Sequence, residues 1–73
     1  MIRPIIFCKA PVPGRVKTRM QTHFSPRQAA DIHAAMACRV IEQVLHLYPN
    51  AWIAADDPRH AFFHRFDSLV LPQ

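Results

Sequence analysis

The sequence predicts an α/β fold, a parallel-sheet β-α-β-α-β unit, and three observations carry that prediction. Short apolar runs recur at Ile5-Ile6-Phe7, Ala51-Trp52-Ile53-Ala54-Ala55 and Ser68-Leu69-Val70-Leu71. A capped amphipathic helix separates the first two runs, and a brief Phe-rich segment separates the last two. Strands that alternate with helices in this way form a parallel sheet with right-handed crossovers.

Residues 4–9 read as the first strand, because consecutive apolar residues suit a strand covered on both faces. Pro4 stands at its start, where a missing N–H is tolerated. Ser25-Pro26-Arg27-Gln28 is a helix start: Ser25 can cap, Pro26 suits the first helical position, and Gln28 completes a capping box. The helix is expected to run to about Leu47 and to end at Pro49-Asn50. Ile32, Met36, Val40, Val44 and Leu47 form an apolar stripe at helical spacing, widened by Ala29, Ala35, Ile41 and Leu45. Asp31, Arg39, Glu42, Gln43 and His46 fall mainly outside it. Residues 51–55 form the second strand, followed by the acidic turn Asp56-Asp57-Pro58. Residues 59–66 then form a short helix that turns Phe62, Phe63 and Phe66 inward. The third strand covers residues 68–71 and is stopped by Pro72, and Trp52 is assigned to the core.

With 73 residues the chain is one domain. A domain of this size buries only about 60–65% of its unfolded surface, so its stability margin is thin. Hydrophobic residues make up 51% of the chain, which favours packing over disorder. The longest apolar runs fall short of a membrane span, and the N-terminus lacks the features of a signal peptide, so a cytoplasmic protein is expected. Cys8 and Cys38 lie in no Cys-x-x-Cys pattern and read as ordinary thiols. His60 and His64 stand at i and i+4, but without a third ligand they define no metal site. A three-stranded parallel sheet with two helices cannot easily cover both faces and both edges. The chain is therefore expected to be a single incomplete domain, residues 1–73, the first half of a larger doubly wound fold. Its first strand is expected at a sheet edge, where a homo-oligomer could form.

Charge is distributed unevenly. Residues 1–30 hold Arg3, Lys9, Arg15, Lys17, Arg19 and Arg27 and no acidic residue, whereas the remaining 43 carry three Arg against five Asp or Glu. The centre of this field is Lys9-Ala10-Pro11-Val12-Pro13-Gly14-Arg15-Val16-Lys17-Thr18-Arg19, which contains the chain's only glycine and four of its nine Lys and Arg. A stiff cationic turn between a strand and a helix suits a phosphate-bearing ligand. Backbone N–H groups at such turns point outward, Arg offers a planar fork to phosphate oxygens, and Lys offers a point charge. The Walker A spacing is absent.

The run from Ile6 to Met20 resembles the opening motif of a GT-A-type glycosyltransferase-like family, the radical-SAM/selenodomain-associated transferases. That motif reads roughly F-A-K-x-P-x-P-G-x-V-K-T-R-L, and this chain departs from it conservatively at Cys8 and Met20. The resemblance implies the N-terminal, nucleotide-binding part of a Rossmann-like nucleotide-diphospho-sugar transferase fold. It makes Lys17 and Arg19 the phosphate contacts, with Pro13 and Gly14 shaping the turn. Lys9 and Arg15 then line its rim, and Thr18 bonds phosphate or steadies the loop. It also implies Mg²⁺ or Mn²⁺ in the full-length family, held by an Asp-x-Asp site beyond Gln73. No catalytic residue and no metal ligand is thus assigned to this chain, which is expected to be inactive alone.

Asp56 has two readings: a contact to base or ribose at the carboxyl edge of the sheet, or a solvated turn and helix cap. Related nucleotidyltransferases use a similar basic loop, so a nucleotidyltransferase-like fragment or a stand-alone nucleotide- or anion-binding module are the alternatives to a glycosyltransferase. Nucleic-acid binding ranks last, because the aromatic residues and the cations lie in separate segments.

Overall fold

The computed structural model describes residues 2–16 and 23–73. It is a small α/β domain with strand β1 (Ile5–Cys8), helix α1 (Pro26–Leu47) and strand β2 (Trp52–Ala55). A 3-10 helix (Ala61–Arg65) and strand β3 (Val70–Pro72) follow. The three strands form one parallel sheet in the order β1-β2-β3, so β1 and β3 are its edges and β2 its centre. Position in the sheet explains composition: β2 carries Ile53 and Ala55 fully buried, whereas each edge strand keeps exposed residues.

The start of α1 follows from its sequence. The Ser25 hydroxyl accepts the Gln28 N–H at 3.1 Å, and the Gln28 side chain accepts the Ser25 N–H at 2.9 Å. This reciprocal box satisfies two of the orphan donors of a helix N-terminus. At the other end the Tyr48 N–H donates to the Val44 carbonyl at 2.7 Å and Ala51 to Tyr48 at 2.9 Å, which turns the chain back into β2. Two side chains fasten the amino ends of the strands: Asn50 Nδ2 donates to the Ile2 carbonyl at 3.0 Å, and Ser68 Oγ to the Ala51 carbonyl at 2.7 Å.

One sheet face is packed. Ile6, Ile53 and Val70 lie in one row of the register, and Cys8, Ala55 and Pro72 lie in the next row on that face. Against them pack Ile41, Ala34, Ala37, Cys38 and Leu45 of α1 together with Phe62, Phe63 and Phe66. The three phenylalanines meet edge to face, with ring centroids 5.2 Å and 5.5 Å apart. His60 Nδ1 accepts the Phe62 N–H at 3.1 Å and so caps the 3-10 helix.

Side chains alternate across a strand, so Ile5 and Trp52, then Phe7, Ala54 and Leu71, point to the opposite face. Among the described residues nothing covers Phe7, which is 70% exposed, or Ile5, at 49%. Ala54 is buried there because it is small and its row neighbours Phe7 and Leu71 are large.

Four expectations need correction. The helix does not bury Met36, Val40 and Leu47, which are exposed. Ile41 and Leu45 of the expected stripe do pack, but their partners are Ala30, Ala34 and Ala37, small residues that let the helix approach the sheet. A helix of 22 residues is about 33 Å long against roughly 13 Å for a four-residue strand, so much of its surface overhangs. Trp52 is only half-buried and lies on the uncovered face, where the Arg3 guanidinium sits 4.1 Å from its ring centroid. The second crossover does turn Phe62, Phe63 and Phe66 inward as expected, but it is a 3-10 helix of only five residues, the usual form of so short a segment. Pro72 does not stop β3 but belongs to it. The Gln73 N–H bonds the Ala55 carbonyl at 2.9 Å, so the alternation turns the nitrogen of Pro72 to the free edge, where no donor is needed.

Candidate functional site

In a parallel sheet all carboxyl ends lie along one edge, and this edge gathers the loop after β1 and the Asp56-Asp57 turn after β2. Cys8 is in register with Ala55, so the next residues, Lys9 and Asp56, begin side by side. From there Asp56 Oδ1 accepts the Ala10 N–H at 2.7 Å. Across the loop, His33 Nε2 lies 2.8 Å from the Lys9 carbonyl and donates to it. The stem of the loop is thus held from both sides, by a carboxylate from β2 and an imidazole from α1. Asp56 is thus neither a freely solvated turn residue nor the cap of the helix that follows, which is His60; its carboxylate braces the loop.

Beyond the stem the backbone turns sharply. The Arg15 N–H donates to the Val12 carbonyl at 3.0 Å, and the Val12 N–H to the Ala10 carbonyl at 2.8 Å. Gly14 has φ of +86°, the value required at the third position of a type II turn, with Pro13 at the second. Ala10 and Val16 are buried and anchor the ends of the turn, while Lys9, Pro13, Gly14 and Arg15 are exposed at its surface. The structure thus brings Lys9, Pro13, Gly14, Arg15 and Asp56 to one end of the sheet. Lys17, Thr18 and Arg19 lie outside the described residues.

Gly14→Ala tests the turn directly. A Cβ there would meet nothing within 4 Å, so any cost is conformational. The substitution is expected to destabilise the domain by about 1–2 kcal/mol, read as a lower urea midpoint with an unchanged slope.

Burial pushes the Cys8 thiol above its usual range, and the nearby Asp56 charge adds to the effect. Cys38 Sγ donates to Glu42 Oε1 at 3.0 Å, and that bond holds its proton on, against the weaker opposing pull of Arg65. The resemblance places its Mg²⁺ or Mn²⁺ site beyond Gln73, and among the described residues no three His, Cys, Asp or Glu side chains converge.

The contribution of His33 was not read from the sequence, since it lies far from Lys9 along the chain. The signal for Asp56 was present, because a residue that directly follows the second parallel strand emerges next to the loop that follows the first. Among the described residues no helix is long and apolar enough to cross a membrane. Comparison with protein-family models, curated proteins and solved structures gives no match to this chain.

Proposed function

We propose that the chain is a nucleotide-binding part of a glycosyltransferase-like enzyme, in which the loop from Lys9 to Arg19 takes the diphosphate of a nucleoside diphosphate-sugar. The observation that carries this reading is the braced type II turn at the carboxyl end of β1, with Lys9 and Arg15 exposed on it. Ligands of open parallel sheets bind at that end. A turn already fixed in place avoids much of the ordering cost that binding otherwise imposes. The strand order, β1 at one edge and β2 central, is compatible with a Rossmann-like half-domain. The motif resemblance supplies the remaining roles: Lys17 and Arg19 neutralise the phosphates, and Thr18 bonds them or steadies the loop. No residue of this chain is given a catalytic role, and the metal implied by the resemblance is assigned to an Asp-x-Asp site outside residues 1–73.

The test is a titration with UDP or GTP followed by amide chemical shifts. Saturable shifts confined to residues 9–19 and the Asp56 turn are expected, and Lys17→Ala with Arg19→Ala should weaken binding by about tenfold or more. No shift in residues 9–19 would remove the proposal. A transferase assay on this chain with Mg²⁺ or Mn²⁺ is expected to give no turnover, and robust turnover would overturn the assignment of a binding part.

A further inference from the structure

We propose that β1 is a self-association edge, pairing antiparallel with β1 of a second copy of this chain about a two-fold axis at Ile6. The inference is independent of the nucleotide reading and rests on which backbone groups the edge leaves open. The Trp52 N–H donates to the Pro4 carbonyl at 3.0 Å, so Pro4, Ile6 and Cys8 turn their backbone groups toward β2. By alternation Ile5, Phe7 and Lys9 turn theirs outward. The Lys9 carbonyl is taken by His33. Among the described residues, what remains open within the strand is the N–H and C=O of Ile5 and of Phe7.

Those groups are complementary to themselves in one register. Opposite residues of a hydrogen-bonded antiparallel pair exchange both bonds. With the axis at Ile6, Ile5 faces Phe7 of the second copy and Phe7 faces its Ile5, which satisfies every open group of the strand on both copies. A slip by one pair sets Ile5 or Phe7 against itself and leaves the other facing Arg3 or Lys9, outside the strand.

The side chains favour the same arrangement. On the uncovered face, Ile5 and Phe7 of each copy would pack against Phe7 and Ile5 of the other. On the helix side, β1 borders an open groove of about 390 Å³ lined by Ile6, Ala37, Ile41, Met36 and Val40. Met36 and Val40 are each 54% exposed and belong to the apolar stripe that the sheet does not cover. Two-fold symmetry brings both grooves to one seam, with Ile6 opposite its counterpart. Ile5, Phe7, Met36 and Val40 are each about half exposed or more, and a seam of this kind lies at the small end of specific interfaces, on the order of 1,200 Å² or less. A weak, concentration-dependent dimer is the consequence. In this register Lys9 faces Arg3 of the second copy, so like charges meet at both ends of the seam and salt should tighten the pair.

The experiment combines sedimentation equilibrium with amide exchange on the full chain, from ~10 μM to ~1 mM. A monomer–dimer equilibrium is expected, strengthened by added NaCl, with the Ile5 and Phe7 amides slowing about tenfold or more as the dimer fills. Phe7→Lys and Val40→Glu should each weaken association by about tenfold or more at unchanged circular dichroism, since both side chains are mostly exposed in one copy. A monomer at ~1 mM, a dimer that dissociates with salt, or a dimer in which the Phe7 amide exchanges freely would each overturn the proposal.

Discussion

Phe63→Ala is expected to abolish cooperative folding at room temperature. Phe63 is only 1% exposed and sits where the 3-10 helix, α1 and the central strand meet. Truncating a buried Phe costs about 3–5 kcal/mol through lost transfer and the cavity left behind. Typical domains hold about 0.05–0.15 kcal/mol per residue, or roughly 4–11 kcal/mol for a chain of this length. The low end applies here, because among the described residues one face of the sheet is uncovered and the core rests on few large side chains. Urea denaturation followed by circular dichroism checks the claim: the variant should show no native baseline. Phe7→Ala is the control, since that ring is mostly exposed and its loss should leave a dilute sample near neutral. A Phe63→Ala protein that unfolds cooperatively near the parent midpoint would place the core elsewhere.

Asp56→Ala should affect both stability and the loop. Its carboxylate is the acceptor for the Ala10 N–H, and Ala10 is itself 1% exposed, so water cannot readily replace the bond. Leaving a buried donor unsatisfied costs about 1–3 kcal/mol. The same loss releases the stem of the Lys9–Val16 turn, and nucleotide affinity should fall by about threefold or more as the turn pays its own ordering cost on binding. Asp56→Asn keeps an acceptor oxygen and should recover most of the stability. The pair of variants separates the brace seen in the structure from a contact to base or ribose. If Asp56 instead read the base or ribose, the Asn variant would stay stable yet change the preference among nucleotides. If it serves only as a brace, preference stays the same and affinity follows stability. Urea midpoints and parallel titrations with UDP and GTP measure both quantities.

The fold was largely legible because its punctuation is local. Ser25, Pro26 and Gln28 define a helix start through bonds made within four residues, and Pro13-Gly14 defines a turn through dihedral preferences. The three strands and their order along the chain follow from apolar runs in the same way. The site was legible only in part. A basic, proline-bracketed loop after a strand can be recognised from residue types, and so can the exposure of Lys9 and Arg15. The braces of that loop come from residues 24 and 46 positions away along the chain, and no periodicity links such distances.

The helix shows where sequence and tertiary structure divide the work. Its sequence carries two apolar stripes, one of large residues through Met36 and Val40, and one of small residues through Ala30, Ala34, Ala37 and Ile41. Hydrophobic periodicity favours the larger side chains, yet the sheet took the smaller set. The phenylalanines of the 3-10 helix already fill the volume beside β2, and a helix lined with alanine fits the space that remains. By itself the sequence determined the elements, their caps, the turn and the positive charge around it, because each depends on near neighbours. Only the tertiary structure decided which stripe is buried, which backbone groups the β1 edge turns outward, and that Asp56 and His33 hold the loop. Those outcomes depend on shape and register across the sheet, which a linear pattern does not contain.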